Sequence, residues 1–354
     1  MSKLFVFFSD AIVPRIKNSL RTIYALGLHD EDLSTLEKVT AKCDECSKVL
    51  QYLPGSLIGF DKDGNVVSLQ MIGRMDITGL MAGTKNSDLY RMRIIESEGV
   101  MQIIRAREKK HKRQFGTTVI FDLDGLSLSQ LDVRSMRVVT TMLAHLQEMF
   151  PDVIRKVFVI NVPSFIKILW GMVSPCLAKQ TQQKIQILGN NWKAVLQEAV
   201  GEDVLYEHWG GNLKGDTPFG NVRTGGKVPV ELKYDSANDK PAEKLQKLIV
   251  AARLKSFIPI ELNDYQFGRK ISWWWRLESN DIGFAVYRSA VGQEKVIEHP
   301  DDILIQPKFR LQTDFVPEDG EILADEPGVY KFVFDNTHSK LRSKTVKYCI
   351  EVKN

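Results

Sequence analysis

Cysteine is scarce in this chain. Its 354 residues include four, and only Cys43 and Cys46 stand close together, with no second pair and no histidines at the spacing a zinc site needs. They read as free thiols suited to a reducing compartment, and the Cys43-Asp44-Glu45-Cys46 pair, set in a polar helix-forming stretch, reads as structural rather than redox-active. Long apolar runs are also missing. Nowhere do ~18 consecutive apolar residues occur, so no membrane-spanning helix is expected. Leu4 to Phe8 are apolar, but Asp10, Arg15, Lys17 and Arg21 follow closely without a small-residue cleavage signal, which argues against a secretory leader. Charge of one sign is lacking too: a net charge of +4 is too weak for nucleic acid, so any attraction to a membrane must be local. The six histidines neither pair with a nucleophile nor recur at metal-binding spacing, and neither a metal nor a cofactor is expected.

What is present suffices for two folded units. Hydrophobic residues make up 44% and charged residues 26% of the chain, an ordinary globular composition, and its length exceeds what one core usually serves. Between residues 57 and 209 short β-like runs alternate with helical patterns. "GFDKDGNVVSLQM" predicts a hairpin around Asp63-Gly64, and Ser87 suits the start of a helix continuing to about Arg107. Two buried strands follow, Thr117–Phe121 and Val157–Val162. Between them Met136, Val139, Leu143, Leu146 and Phe150 form an apolar helical stripe that Pro151 ends. After the Gly/Pro-rich stretch from Gly210 to Pro229 the pattern turns to strands and turns. In "TVKYCIEV" Val346, Tyr348, Ile350 and Val352 are expected on one face, with Lys347, Cys349 and Glu351 on a solvent face. Pro327-Gly328 and Asp335-Asn336 supply turns at distances that suit a sandwich.

"VIFDLDGLS" (Val119 to Ser127) has the outline of a phosphatase motif, in which a first aspartate attacks phosphorus, a second handles the leaving-group proton and Mg²⁺ neutralises charge. Asp122 and Asp124 could fill those roles. However, Leu126 stands where threonine is usual, and Asp301-Asp302 falls in the β-rich region. The favoured reading is a tight turn leaving a buried strand. "DKDGN" (Asp61 to Asn65) lacks the glycine and glutamate of a calcium loop, those positions being Val66 and Ile72, and reads as a hairpin turn.

The unusual segment is Pro163 to Leu177, "PSFIKILWGMVSPCL". Phe165, Ile166, Ile168, Leu169, Trp170, Met172 and Val173 leave Lys167 as its only charge, so the helix is apolar nearly all round. Such a helix lies in a core or covers something apolar that comes and goes. Thr181 and Lys184 follow it, a hydroxyl and an ammonium able to hold a phosphate while acyl chains stay buried.

From about Leu50 to Gly211, "YLPGSLIGFDKDGNVV", "VIFDLDGLSLSQL", "FPDVIRKVFVINVPSFIKILWGMVSPCL", "KIQILGNNWKAVL" and "YEHWGG" resemble the CRAL-TRIO lipid-binding domain. "ISWWWRLESNDIGFAVY", "DFVPEDGEIL" and "PGVYKFVFDNTHSKLRSKTVKYCIEV" resemble the GOLD domain of the supernatant protein factor family. The resemblance implies an α/β lipid-binding domain at 50–212, a linker at 213–240 and an all-β GOLD-type jelly-roll sandwich at 241–354. Residues 1–49 would be a short helical segment, an incomplete form of the family's N-terminal domain. It further implies that the apolar helix gates a pocket, with Phe165, Ile168, Leu169 and Met172 against the lipid. Asp152, Thr181 and Lys184 would grip an inositol phosphate, Asp152 being one methylene shorter than the family's glutamate.

The expected function is binding and transfer of a hydrophobic lipid, phosphatidylinositol, another phospholipid or a tocopherol-like molecule, in the cytoplasm with transient contact at Golgi or other membranes and without catalysis. The GOLD-type domain would contact protein or membrane. The alternatives are a lipid-sensing adaptor without net transfer and a Mg²⁺-dependent phosphatase using Asp122 and Asp124. Membrane-contact candidates are Lys109, Lys110, Lys112 and Arg113 of a basic run, otherwise a solvated helix end, and Trp274, expected to point outward while Ile271, Trp273 and Trp275 face the core.

Overall fold

The computed structural model describes residues 2–353, with residues 2–11 described by their backbone alone. Two compact units emerge. One comprises residues 31–84 and 91–233; the other comprises the chain up to Asp30, Lys85–Tyr90 and Tyr234 onward. Helix α1 (Ser2–Ala25) belongs to the latter, where it packs on a strand of the sandwich, rather than to an N-terminal helical segment running to residue 49.

The first unit begins with α2 (Leu36–Asp44), β1 (Ser56–Phe60), β2 (Val66–Gln70) and α3 (Ile77–Gly83). Helix α4 (Asn86–His111) starts in the second unit and continues in the first. Then come β3 (Thr117–Asp122), α5 (Val133–Met149), β4 (Ile154–Ile160), α6 (Ile166–Val173), α7 (Lys179–Gln183), β5 (Ile185–Ile187) and α8 (Trp192–Ala199). The five strands lie in sequence order, β1 antiparallel to β2 and the rest parallel. The β1–β2 turn closes because Asp61 accepts from the Asn65 backbone N–H (2.8 Å) and from the Thr118 hydroxyl (2.6 Å), while Gly64 takes a left-handed φ of 83°. That aspartate is committed to the turn. Helix α5 starts where the Asp132 side chain accepts from the Ser135 N–H and stops just before Pro151.

One face of this sheet is closed. Val67, Leu69, Met71, Ile120, Phe158 and Ile160 form a core with Leu196 and Val200 of α8 and with Trp209. Val119, Phe121 and Val159 alternate to the opposite face, and all three are only half-buried although they sit on interior strands. The connection from β3 to β4 carries α5, and that from β4 to β5 carries α6 and α7. Along α5 the buried residues are Ser135, Met136, Val138, Met142 and Met149. Apart from Met136, the stripe read from the sequence, Val139, Leu143, Leu146 and Phe150, is half-buried.

The second unit continues with β6 (Gln246–Val250), β7 (Lys255–Leu262), β8 (Lys270–Leu277), β9 (Asp281–Ser289), β10 (Ile303–Gln312), β11 (Glu318–Leu323), β12 (Gly328–Asp335) and β13 (Lys344–Lys353). They build two antiparallel sheets, ordered β10-β9-β12-β7 and β11-β8-β13-β6. Aromatic rings join the sheets. Trp275 meets Phe284 (5.2 Å) and, edge-on, Phe334 (5.5 Å), while Trp273 meets Phe332 (5.7 Å). The C-terminal half is therefore a β-sandwich, with Ile271, Trp273 and Trp275 in its core as expected.

Trp274 is a correction: it is buried, at 6% exposure. Its face of the sheet, expected in solvent, is covered by the segment from Tyr234 to Lys244. Arg276 pairs with Asp239 (2.9 Å) beneath the Tyr234 ring, Tyr234 donates to Asp239 (2.6 Å), and Lys240 reaches Glu351 (3.5 Å). Cys349, opposite Trp274 in register, is buried with it. The residues expected as a linker are thus ordered. Val222 and Val228 are buried in the first unit, whereas the stretch from Tyr234 onward belongs to the second.

Candidate functional site

Helix α6 is built from Ile166, Lys167, Ile168, Leu169, Trp170, Gly171, Met172 and Val173, and none of these side chains is buried. Ile168 is 54% exposed. Phe165, Leu169, Trp170 and Met172 are half-buried. An ordinary core helix of this composition would be covered on every side.

The segment after α6 is tied to its neighbours by polar side chains. On α5, Gln147 donates through Nε2 to the Cys176 carbonyl (2.7 Å), and its Oε1 accepts from the Ala178 backbone N–H (2.9 Å) and, at 3.5 Å, from the Thr181 hydroxyl. Gln182 donates to the carbonyls of Ser174 and Leu177, both at 3.0 Å. Before α6, Asn161 has a left-handed φ of 52° and donates to Asp122 (2.8 Å). The apolar helix therefore runs between two polar anchor points. Neither Gln147 nor Asn161 stood out in the sequence, because their roles depend on partners about 30 to 40 positions away in the chain.

Two of the three expected headgroup residues meet. Lys184 Nζ lies 2.7 Å from Asp152 Oδ1 and 2.6 Å from the Ile154 carbonyl, while Arg155 approaches the other Asp152 oxygen at 3.3 Å. The hydrogen bond from Lys184 holds the Asp152 carboxyl below its ordinary range. Asp152 sits at the turn into β4 with a φ of 57°, a conformation aspartate tolerates better than most residues. Thr181 caps no part of this pair. It is one turn away in α7, its hydroxyl directed at Gln147.

The basic run spans the end of α4 and the two residues after it. Lys109, Lys110 and Lys112 are exposed, as is Arg113, whose guanidinium lies over the Phe115 ring and donates to the Asp63 carbonyl (2.8 Å).

Asp122 is 2% exposed and its carboxylate is occupied. Oδ1 accepts from the Asp124 backbone N–H (3.0 Å) and from Asn161 Nδ2 (2.8 Å), and Oδ2 accepts from Trp209 Nε1 (3.1 Å). Gly125, at φ 89°, completes the turn. A nucleophile needs a free lone pair aimed at open space, and this carboxylate instead ties three separate segments together. His208 Nε2 lies 3.7 Å away, and burial pushes its pKa down against the pull of Asp122. Burial raises the Cys43 thiol far above its usual range, which keeps it a protonated core residue rather than a nucleophile.

Residues 50–211 match the model of the CRAL/TRIO domain. This segment is a CRAL/TRIO domain. Protein ctg-1 of Caenorhabditis elegans is 26% identical over 97% of this chain and 94% of its own length. Protein real-time of Drosophila melanogaster is 25% identical over 63% of the chain, and the phosphatidylinositol/phosphatidylcholine transfer protein SFH12 of Arabidopsis thaliana is 29% identical over 48%. These two matches cover only about a third of those longer relatives, 34% and 31%. The CRAL/TRIO domain here contains α6, the Asp152–Lys184 pair and the Asp122 turn. Among the described residues no helix is long and apolar enough to cross a membrane.

Proposed function

We propose that the CRAL/TRIO domain carries one hydrophobic lipid, a phosphatidylinositol, another phospholipid or a tocopherol-like molecule, and exchanges it at a membrane surface by moving α6. One observation carries this reading: α6, apolar but for Lys167, has no buried side chain, and on the face of the sheet away from the α8 core Val119, Phe121 and Val159 are only half-buried. Each methylene moved out of water contributes ~0.8 kcal/mol, so an acyl chain between these surfaces would complete a core that the protein alone leaves unfinished. Phe165, Ile168, Leu169 and Met172 supply the covering side. Gln147 acts as the latch at the far end of the gate segment, because it reads both a carbonyl and an N–H there.

The headgroup end is the Asp152–Lys184 pair with Arg155. An arriving phosphate takes over the two cations, and the released carboxylate accepts hydrogen bonds from sugar hydroxyls. Thr181 joins them only when the gate segment moves. The name of the SFH12 relative supports a phospholipid cargo. The sandwich, GOLD-like by resemblance, supplies protein or membrane contacts, and the exposed cations from Lys109 to Arg113 supply local attraction to anionic lipid. The work is carriage in the cytoplasm, with transient contact at Golgi or other membranes and no bond making. Native mass spectrometry of purified protein with lipid extraction tests it: a bound lipid that exchanges with vesicles is expected. A compact, lipid-free protein that moves no labelled phospholipid between vesicles would refute the reading and leave the adaptor role of the sandwich.

A further inference from the structure

We propose that one end of the sandwich, formed by the β6–β7 and β12–β13 turns, is a docking tip for anionic phospholipid surfaces. Leu341 is 90% exposed and Leu254 58%. Arg253, Lys340 and Arg342, all exposed, flank them. The two turns are tied together from within. Buried Asn336 donates through Nδ2 to the carbonyls of Val250 (3.1 Å), Ala251 (3.2 Å) and Arg342 (2.9 Å), and its N–H donates to the Leu254 carbonyl (2.9 Å). The Arg253 N–H in turn donates to the carbonyls of Asn336 and Ser339, both at 3.1 Å, with Arg253 held at a left-handed φ of 65°. Six backbone and side-chain bonds thus hold both leucines outward on a rigid projection.

The charge at this tip is net positive. Most acidic groups at the same end are paired, Asp335 with Lys308 and Lys255, Asp281 with Arg310 and His338, and Glu278 with Lys347, and the exposed Asp314 is outnumbered by the three tip cations. Among the described residues no ion pair engages Arg253, Lys340 or Arg342. Two leucines on a projection offer far less than the ~1,200 Å² that a stable protein interface buries. At a bilayer the same residues suffice to matter, since leucines enter the acyl boundary while the cations meet phosphates at the headgroup level. Apolar insertion and anionic attraction reinforce each other there, as neither alone anchors firmly.

The test uses the full chain in vesicle flotation, with phosphatidylcholine alone and with about one third phosphatidylserine added. Binding to the anionic vesicles, weakened by salt, is expected of the unmodified protein. Lys340→Gln with Arg342→Gln should weaken it roughly 25-fold, about fivefold per cation. Leu341→Ser should weaken it about tenfold. All three positions are exposed, so the thermal midpoint should not move, and the lipid retained by the CRAL/TRIO domain in native mass spectrometry should be unchanged. Loss of that retained lipid in unmodified protein would count against the carrier reading alone. Unmodified protein that ignores anionic vesicles, or tip variants that bind them as well as unmodified protein does, would overturn the docking tip.

Discussion

Replacing Asp122 by asparagine removes no atoms from the core but changes what they can accept. Three donors converge on this carboxylate, two on Oδ1 and one on Oδ2. An asparagine must place its NH₂ against at least one of them. The less costly orientation keeps the carbonyl toward Asp124 and Asn161 and leaves the buried Trp209 N–H facing another donor. Leaving a buried donor unmade costs about 1–3 kcal/mol, and weakening the two remaining bonds from charged to neutral acceptors adds about 1 kcal/mol. The sum is roughly 2–4 kcal/mol. For a unit of this size each kcal/mol shifts the thermal midpoint by about 2–4 °C, so a fall on the order of 4–16 °C is expected. Calorimetry, paralleled by tryptophan fluorescence because Trp209 reports directly on the turn, measures it. Asp124→Asn is the control; Asp124 is half exposed and 3.6 Å from Arg74, and its change should be nearly silent. A shift below about 2 °C for Asp122→Asn, or phosphomonoesterase activity that this change abolishes in folded protein, would show the carboxylate to be chemical rather than structural.

Further expectations follow from other sites. Burial raises the Glu318 carboxyl to about 7 against the N–H it accepts from Ser87, so its folded pKa lies above its unfolded one; stability is full below about pH 4.5 and falls as pH rises toward 7. Glu318→Gln should therefore raise the thermal midpoint at pH 8 relative to unmodified protein and change little at pH 4.5. Trp274→Ala, at a buried position, should cost about 3–5 kcal/mol in urea unfolding rather than alter vesicle binding. Under the proposed gate, Gln147→Leu removes its bonds to the Cys176 carbonyl and the Ala178 N–H and should speed lipid exchange between vesicles by up to about thirtyfold, each lost bond contributing about 1 kcal/mol; an unchanged exchange rate would remove the latch role. Lys184→Met should lower phosphatidylinositol retention about tenfold or more, as a charge-assisted phosphate contact is lost, while apolar ligands extracted with the protein stay.

The sequence by itself determined the order of the elements. Alternating strand and helix periods between residues 57 and 209, the Pro151 stop, the Asp61–Asn65 turn and the period-2 tail are local signals, each set by propensity over a few residues. The α/β unit and the sandwich follow from them. The apolar helix α6 was visible because its composition alone departs from an amphipathic surface helix, and the CRAL/TRIO motifs are contiguous runs. Tertiary structure decided what covers each face. Trp274 and Cys349 alternate correctly toward the outer side of their sheet, yet the stretch from Tyr234 to Lys244 returns across that side and buries them. Periodicity specifies a direction and cannot specify a cover. The pairing of Asp152 with Lys184, the occupation of Asp122 by Trp209, and the use of Gln147 to hold Cys176 and Ala178 likewise join residues about 30 to 90 positions apart. Such partners exist only once the chain has closed on itself, because hydrogen bonds between distant side chains leave no spacing in the sequence from which they could be read.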